Sequence, residues 1–384
     1  MTRAERFNDI INGLNSKYTS EYGGGIISRS GEVQDVETIS SGSLVLDSLL
    51  GGGIAKGRIV SIEGPEGSGK SSIALTVAGN VQKEGGNVLY IDAEYALDPK
   101  YAQVLGVNME DLAIAQPDHL EQAFNLMMDI IPTGVIDLIV VDSTSSLQPE
   151  QEFSGDMSQQ TMALQARALS KGFKKLVPIA SRFGTTIIFI NQIRDTMAMY
   201  GPKTTITGGR AQKFYASQMI EVRRQEVITE GKDAIGTQVA LNIKKNKIAP
   251  PYRRGETVLT FAKGVNKYAE ILTDQVGVKY GLIQKRGSWY YNAITGEGLA
   301  QGMAKTMVYL EENPEIYEQI STALKKCISA DKTYQELVEE GEVDPETAEA
   351  SKPAKKTRAR KTTKKAENVG TADSDGDGAE SEEE

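Results

Sequence analysis

A glycine-rich segment, GPEGSGKS, holds the residues of this sequence that are best suited to chemistry. It follows a mostly apolar run at residues 59–62 and comprises Gly64, Pro65, Glu66, Gly67, Ser68, Gly69, Lys70 and Ser71. Glycines let the backbone curl so that its N–H groups face phosphate oxygens, as the G-x-x-x-x-G-K-[ST] pattern requires. In this pattern Lys70 reaches the β- and γ-phosphates of ATP, and Ser71 binds Mg²⁺. The helical spacing after Ser71 predicts a helix whose N-terminus faces the same anion.

Three further apolar runs end in polar residues that could serve the same nucleotide. The run DLIVVDS carries Asp142, which is expected to hold Mg²⁺ through water. The run NVLYIDAE ends in Asp92 and Glu94, and either carboxylate could orient or deprotonate the attacking water. Spacing alone does not choose between these two acids. The run TTIIFINQ ends in Asn191 and Gln192, uncharged amides that suit either a γ-phosphate sensor or an ordinary strand end.

The elements that position these residues are predicted from the alternation of apolar runs and helical stretches. Between residues 35 and 266 this alternation predicts an α/β fold with a mostly parallel sheet covered by helices. The run LIVV lacks a period of two, which is typical of a strand buried on both faces. After residue 217 strand and turn signals predict antiparallel additions at the sheet edge.

The remaining parts of the chain flank this core. Residues 1–34 are too few to form a core of their own and are expected to dock elsewhere as an arm. Residues 267–331 are predicted to form a small α/β domain. Residues 332–384 are highly charged, with a basic run at 352–365 and an acidic end at 373–384, and are predicted to be disordered.

Composition excludes several classes of function. No apolar run approaches the ~20 residues needed to span a bilayer, and the first residues lack a secretory signal, so a cytoplasmic location is expected. One cysteine, Cys327, and one histidine, His119, exclude internal disulfides and zinc clusters. The net charge of −9 means that any DNA binding must use local basic surface.

Six segments together resemble the bacterial RecA recombinase family over about residues 37–330. In order they are GPEGSGKS, YIDAEYALDPKYAQVLGV, IVVDSTSSLQPE, FINQIR, TTITGGRAQKFYAS and KKNKIAPPYRRGE. The resemblance implies a RecA-type P-loop ATPase core with a mostly parallel central sheet. It further implies an N-terminal arm that packs on a neighbouring subunit and a small C-terminal domain.

The same resemblance assigns roles around the nucleotide. Glu94 is similar to the catalytic base that activates water, and Gln192 to the sensor that links the γ-phosphate to the following loop. Asp98 and Tyr101 resemble the residues that hold and stack on adenine.

The resemblance also implies a nucleotide site shared between subunits. Lys245 and Lys247 resemble lysines that reach the ATP of the adjacent protomer, with Lys213 and Phe214 at the same interface. From composition alone, the KKNK segment would be interpreted as a solvated strand end.

For DNA, the resemblance indicates two loops, at residues 152–164 and 193–213. Met162 and Met197 match apolar side chains that wedge between base triplets of a stretched strand. Matches to phosphate contacts are Arg167, Ser170, Lys174, Arg194, Gly208 and Gly209. Phosphate contacts do not read sequence, so binding is expected to tolerate any sequence.

The function implied is an ATP-dependent recombinase that forms helical filaments on single-stranded DNA and exchanges strands with homologous duplex. Expected partners are DNA, further copies of the chain, a single-strand-binding protein, loading mediators and a self-cleaving repressor. Two alternatives stay open on the same core. A hexameric helicase would need a larger N-terminal module than residues 1–34, and a non-enzymatic, ATP-gated DNA-coating protein would not need Glu94.

Overall fold

The computed structural model describes residues 2–22, 36–154, 162–195, 204–206 and 211–343. The strands are β1 (Thr38–Ile39), β2 (Ile54–Ala55), β3 (Ile59–Gly64), β4 (Val88–Asp92), β5 (Leu112–Ala115), β6 (Leu138–Asp142), β7 (Thr186–Asp195), β8 (Thr204–Ile206), β9 (Gln218–Glu230), β10 (Asp233–Asn246), β11 (Arg254–Thr260), β12 (Gly264–Val265), β13 (Ile283–Arg286), β14 (Trp289–Asn292) and β15 (Gly298–Gln301).

The helices alternate with these strands through most of the chain. They are α1 (Arg3–Tyr22), α2 (Leu44–Leu50), α3 (Lys70–Lys83), α4 (Pro99–Val104), α5 (Leu120–Ile130), α6 (Glu150–Phe153), α7 (Met162–Phe183), α8 (Ala211–Tyr215), α9 (Lys267–Ile271), α10 (Met303–Glu312), α11 (Pro314–Ala330) and α12 (Tyr334–Glu339). None of the described helices is long and apolar enough to cross a bilayer.

A ten-stranded sheet forms the centre of the molecule. Its order is β12-β11-β10-β9-β3-β7-β6-β4-β5, and β8 pairs with β7. The pairs among β9, β3, β7, β6, β4 and β5 are parallel, whereas β10, β11 and β12 add antiparallel strands at one edge. The predicted α/β architecture is therefore confirmed. The carboxyl ends of β3, β4, β6 and β7 meet at one edge, where ligands of such sheets bind.

The sheet separates two hydrophobic cores. In β6, Leu138 and Val140 pack in the core that includes α3, while Ile139 and Val141 pack in the core that includes α5 and α7. All four side chains are fully buried, as the unbroken apolar run predicts. The second core is anchored by an edge-to-face contact between Phe173 and Phe189, whose ring centroids are 4.8 Å apart.

The C-terminal part joins the first core directly. It consists of the antiparallel sheet β13-β14-β15 with α10, α11 and α12. Glu270 of α9, the helix that precedes this part, ties α9 to α2 and β11, because its carboxylate accepts hydrogen bonds from the Leu44 N–H at 2.7 Å and from the Ser43 and Thr257 hydroxyls.

The predicted start of the charged tail at residue 332 is too early. Residues 334–339 form α12, which begins at a capping box between Thr333 and Glu336 and buries Leu337 against α11. In the sequence, Leu337 is a weak signal for a packed helix because most of the residues around it are charged or polar. Residues 344–384, including both charge runs, lie outside the described part of the chain.

Helix α1 carries an apolar stripe that is exposed to solvent. Phe7, Ile10 and Leu14 follow helical spacing along one face and are 62%, 55% and 38% exposed. The predicted role of this segment as an arm that docks on a neighbouring subunit stays a prediction.

Candidate nucleotide and DNA site

The phosphate loop connects the end of β3 to the start of α3. Gly67 and Gly69 have φ angles of 64° and 90°, which L-residues with a Cβ rarely adopt. Gly64 lies so close to β9 that a Cβ would stand 2.1 Å from the Val222 carbonyl oxygen. The 14-residue helix α3 starts at Lys70, so its N-terminal dipole faces the loop. The loop thus has the shape of an anion cradle.

Lys70 lies inside this loop. Its ammonium donates a hydrogen bond to the Pro65 carbonyl oxygen at 2.6 Å, and the residue is buried. Burial lowers the pKa of Lys70 below its ordinary value, while the carboxylates of Asp142, Glu94 and Glu66 oppose that effect. A buried cation surrounded by acids is suited to phosphate oxygens, which could replace the carbonyl contact.

Asp142 and Ser71 form the candidate metal site. The Ser71 hydroxyl hydrogen-bonds to the Asp142 carboxylate, and the Tyr90 hydroxyl donates to Asp142 Oδ2 at 2.7 Å. Burial raises the pKa of Asp142, whereas the bonds from Ser71 and Tyr90 lower it. One hydroxyl and one carboxylate fit Mg²⁺, which usually takes one or two protein oxygens together with phosphates and water.

Tyr90 was not identified from the sequence, because its contact with Asp142 depends on the pairing of two strands. It lies on β4, two residues before Asp92, and β4 pairs with β6, which carries Asp142. Burial together with the Asp142 charge raises the pKa of Tyr90, so its hydroxyl stays protonated and donates to the carboxylate.

Asp92, the last residue of β4, and Glu94, two residues beyond it, lie in different surroundings. Asp92 is buried and accepts hydrogen bonds from the Ala96 N–H at 3.1 Å and the Leu97 N–H at 3.3 Å. The Gln116 amide donates to the same carboxylate at 3.3 Å. Asp92 therefore holds the turn after β4, and its carboxylate is already occupied by these three donors.

Glu94 is exposed and lies among hydroxyl and amide groups. Its Oε1 accepts hydrogen bonds from Ser143 Oγ at 2.5 Å, from Ser146 Oγ at 3.3 Å and from Gln192 Nε2 at 3.4 Å. These partners come from the segments after β6 and at the end of β7, so the sheet edge brings Glu94 and Gln192 together.

Asn191 and Gln192 also differ in burial and in hydrogen-bond partners. Asn191 is fully buried, accepts from Thr144 Oγ1 at 2.8 Å and donates to Ser61 Oγ at 3.0 Å. It crosslinks strands inside the sheet. Gln192 is half-buried and is the amide that reaches the carboxylate of Glu94.

The candidate adenine residues lie beside the start of α3. Asp98 caps α4, with Oδ1 accepting from the Lys100 N–H at 2.9 Å and the Tyr101 N–H at 3.3 Å. The Tyr101 hydroxyl lies 3.0 Å from Ser72 Oγ on α3. Their contact with adenine stays a prediction.

The predicted interface residues gather around the short helix α8. The Lys245 ammonium donates to the carbonyl oxygens of Lys213 at 2.6 Å and Phe214 at 3.2 Å. Burial, followed by the charge of Lys247, lowers the pKa of Lys245. Lys247 itself is exposed, and the Phe214 side chain is 71% exposed, which is unusual for a large apolar residue.

The DNA candidates are described only in part. On α7, Arg167, Ser170 and Lys174 are exposed at spacings of three and four, so they share one face. The side chains of Met162 and Arg194, together with Met197, Gly208 and Gly209, lie outside the described residues. Both predicted loops are partly regular, since α7 begins at Met162 and the end of β7 pairs with β8.

Comparison with known proteins places these features in a family. A family model described as the RecA N-terminal domain matches residues 10–266, and one described as the RecA C-terminal domain matches residues 270–329. The chain is 44% identical over 315 residues to Protein RecA of Fusobacterium nucleatum, covering 81% of this chain and 82% of that relative. It is 41% identical over 328 residues to Protein RecA of Macrococcus caseolyticus, covering 84% and 92%. For Protein RecA of Thermotoga neapolitana the identity is 42% over 325 residues, covering 83% and 90%.

Proposed function

Because this chain belongs to the RecA family, it is a DNA-dependent ATPase and recombinase, and we propose that Glu94 and Gln192 couple its ATP hydrolysis to DNA. The observation that carries this proposal is the 3.4 Å contact between Gln192 Nε2 and Glu94 Oε1. Gln192 immediately precedes the segment 193–213, which is the predicted second DNA loop. A strand bound there would move the amide that restrains the base.

The chemistry follows from the groups at the sheet edge. We propose that the backbone of residues 64–71 and the Lys70 ammonium hold the phosphates, and that Ser71 and Asp142 hold Mg²⁺. The metal, when bound, would neutralise charge on the β- and γ-phosphates. Glu94 accepts the proton of the attacking water, and Ser143 and Ser146 orient its carboxylate.

We further propose that Lys247 completes the site of the adjacent protomer. The Lys245 ammonium is already bonded to α8, whereas Lys247 is exposed. A cation supplied by a neighbour stabilises transition-state charge in the manner of an arginine finger, so hydrolysis requires assembly. Exposed Phe214 on α8 provides apolar surface for the same boundary.

The α7 face is proposed to bind DNA phosphates. Lys174→Ala is expected to weaken single-strand binding equally on all sequences and to reduce the slope of log affinity against log salt by about 0.7. Fluorescence titrations at several salt concentrations measure this slope. Lys326→Ala, which removes an exposed lysine from α11, is the control and should leave the slope unchanged. An unchanged slope in Lys174→Ala would remove this face from the DNA site.

Strand exchange tests the proposed function as a whole. With ATP and Mg²⁺, the chain should transfer a strand from linear duplex to a homologous single-stranded circle and should fail with heterologous duplex. Unwinding of a duplex without any homologous strand would instead favour the helicase alternative. DNA binding without ATP turnover would favour the coating protein.

Cellular context is proposed from the resemblance. A cytoplasmic location would bring the chain to DNA, a single-strand-binding protein and loading mediators. A self-cleaving repressor is a further proposed partner, and incubation of the purified repressor with ATP-loaded filaments tests it. An intact repressor after that incubation would exclude this activity.

A further inference from the structure

Glu63 is a buried acid directly before the phosphate loop. It lies in β3, and the strand register places it opposite Asn191 of β7 and Glu221 of β9. Ile59, Ser61 and Glu63 share one face of β3, because side chains alternate along a strand. Ile59 packs in the core that contains α7 and Tyr215 of α8, so Glu63 faces that same layer.

The carboxylate of Glu221, the neighbouring acid, is bound by two cationic side chains and one amide. Its carboxylate accepts from Arg223 at 2.9 Å, from Lys244 at 3.0 Å and from the Asn242 amide at 3.1 Å. Burial would raise its pKa, but the bonds from Lys244 and Arg223 hold the pKa of Glu221 below its ordinary value. Glu221 is therefore a fixed negative charge beside Glu63.

The Glu63 carboxylate lacks a comparable set of hydrogen-bond donors within the described residues. Among the described residues, no protein group hydrogen-bonds to its buried Oε2. Burial, followed by the Glu221 charge, raises the pKa of Glu63 to about 7, while Lys213, Lys244 and Arg223 oppose the shift. A buried acid of this kind changes charge across the physiological range.

Of those three cations, only Lys213 is uncommitted. Arg223 and Lys244 are both paired with Glu221, whereas Lys213 forms no ion pair within the described ranges and is exposed. The charge of Glu63 therefore acts mainly on Lys213, the residue of α8 predicted to lie at the subunit boundary.

Helix α8 connects this lysine to the rest of the site. Gln212 Nε2 donates to Thr144 Oγ1 at 3.1 Å, and Thr144 donates to Asn191 beside Gln192. The Lys213 carbonyl accepts from Lys245. A shift of α8 would consequently move Thr144, which bonds to Asn191 of β7, and would move the carbonyl oxygen that holds Lys245.

We propose that Glu63 is a positioning residue for the ATPase reaction, whose ionised carboxylate draws Lys213 towards the sheet and whose neutral form releases it towards the adjacent subunit. ATP use by the assembled protein thereby depends on pH. The proposal rests on the proposed placement of Lys213 at the subunit boundary.

The direction of the effect follows from the proton balance. Glu63 is roughly nine-tenths ionised one pH unit above its pKa and roughly one-tenth ionised one unit below. Its raised pKa means that its contribution to stability is fully present below the unfolded value of 4.5 and is lost as pH rises through about 7. Glu63→Gln keeps the neutral form at every pH.

The test compares the ATP concentration that gives half-maximal DNA-stimulated hydrolysis from pH 6 to 8. The value for the unmodified chain divided by that for Glu63→Gln should rise several-fold, with a midpoint near pH 7. Glu63→Asp should follow the unmodified chain. Glu226→Gln, which removes an exposed carboxylate from β9, is the matched control and should not alter the profile. A ratio that stays constant across this range would overturn the proposal.

Two further measurements distinguish the positioning role of Glu63 from its effect on stability and from the placement of Lys213 at the subunit boundary. The melting temperature of Glu63→Gln minus that of the unmodified chain should rise with pH. If it does so while the ratio of half-maximal ATP concentrations stays constant, Glu63 titrates without positioning Lys213. In a Lys213→Ala background, Glu63→Gln should have no effect on the ATP profile. Normal DNA-stimulated ATP hydrolysis by Lys213→Ala would contradict the placement of Lys213 at the subunit boundary. If Lys213→Ala is impaired but the ratio of the unmodified chain to Glu63→Gln stays constant with pH, only the positioning role of Glu63 is contradicted.

Discussion

Glu94→Gln is expected to bind ATP and assemble on DNA normally while hydrolysing ATP about 10²- to 10⁴-fold more slowly. The amide keeps an oxygen that Ser143 and Ser146 can bond, but it cannot take a proton from water. Single-turnover hydrolysis with saturating single-stranded DNA measures the chemical step, and nucleotide binding is followed separately by fluorescence.

Asp92→Asn is the matched comparison for this variant. Because Asp92 accepts backbone bonds from Ala96 and Leu97, its replacement should lower thermal stability more than it lowers the rate of the folded protein. Normal hydrolysis by Glu94→Gln, combined with loss in a stably folded Asp92→Asn, would show that the other carboxylate is the base.

Lys247→Ala is expected to lower DNA-stimulated hydrolysis by about 10³-fold or more, with little change in ATP binding by the isolated subunit. The exposed ammonium is proposed to act on the neighbour's nucleotide, so its loss removes transition-state stabilisation only in the assembly. Lys232→Ala, an exposed lysine at the turn before β10, is the control and should keep its activity.

Mixing variants tests whether the site is shared. A Lys247→Ala subunit keeps Glu94, and a Glu94→Gln subunit keeps Lys247, so some boundaries in a mixed filament contain both intact groups. Turnover should then exceed the sum of the two separate proteins. Mixtures that never exceed this sum would refute the proposed contact in trans.

The phosphate loop could be predicted because its chemistry is local. Three closely spaced glycines and the Lys70–Ser71 pair specify it between one strand and one helix. The buried strand β6 could also be predicted, since its four apolar residues divide between two cores and leave no polar face. These features depend on neighbouring residues in the chain.

The choices between adjacent polar residues could not be made from spacing. Asp92 ends β4 and Glu94 lies two residues beyond it, and only the fold shows that the backbone of residues 96 and 97 binds one while Ser143 binds the other. Tyr90 was missed for a different reason: its bond to Asp142 joins residues that are 52 positions apart in the sequence. The early boundary placed at residue 332 arose because one buried leucine is a weak signal among charges.

Electron microscopy of the full chain with single-stranded DNA and a non-hydrolysable ATP analogue tests the central claim most directly. Continuous helical filaments are predicted with the analogue, and none with Lys70→Ala, because Lys70 is the one cationic residue within the sequence of the phosphate loop, residues 64–71. Closed rings, or isolated subunits under the conditions that saturate the nucleotide site, would contradict an ATP-gated recombinase filament.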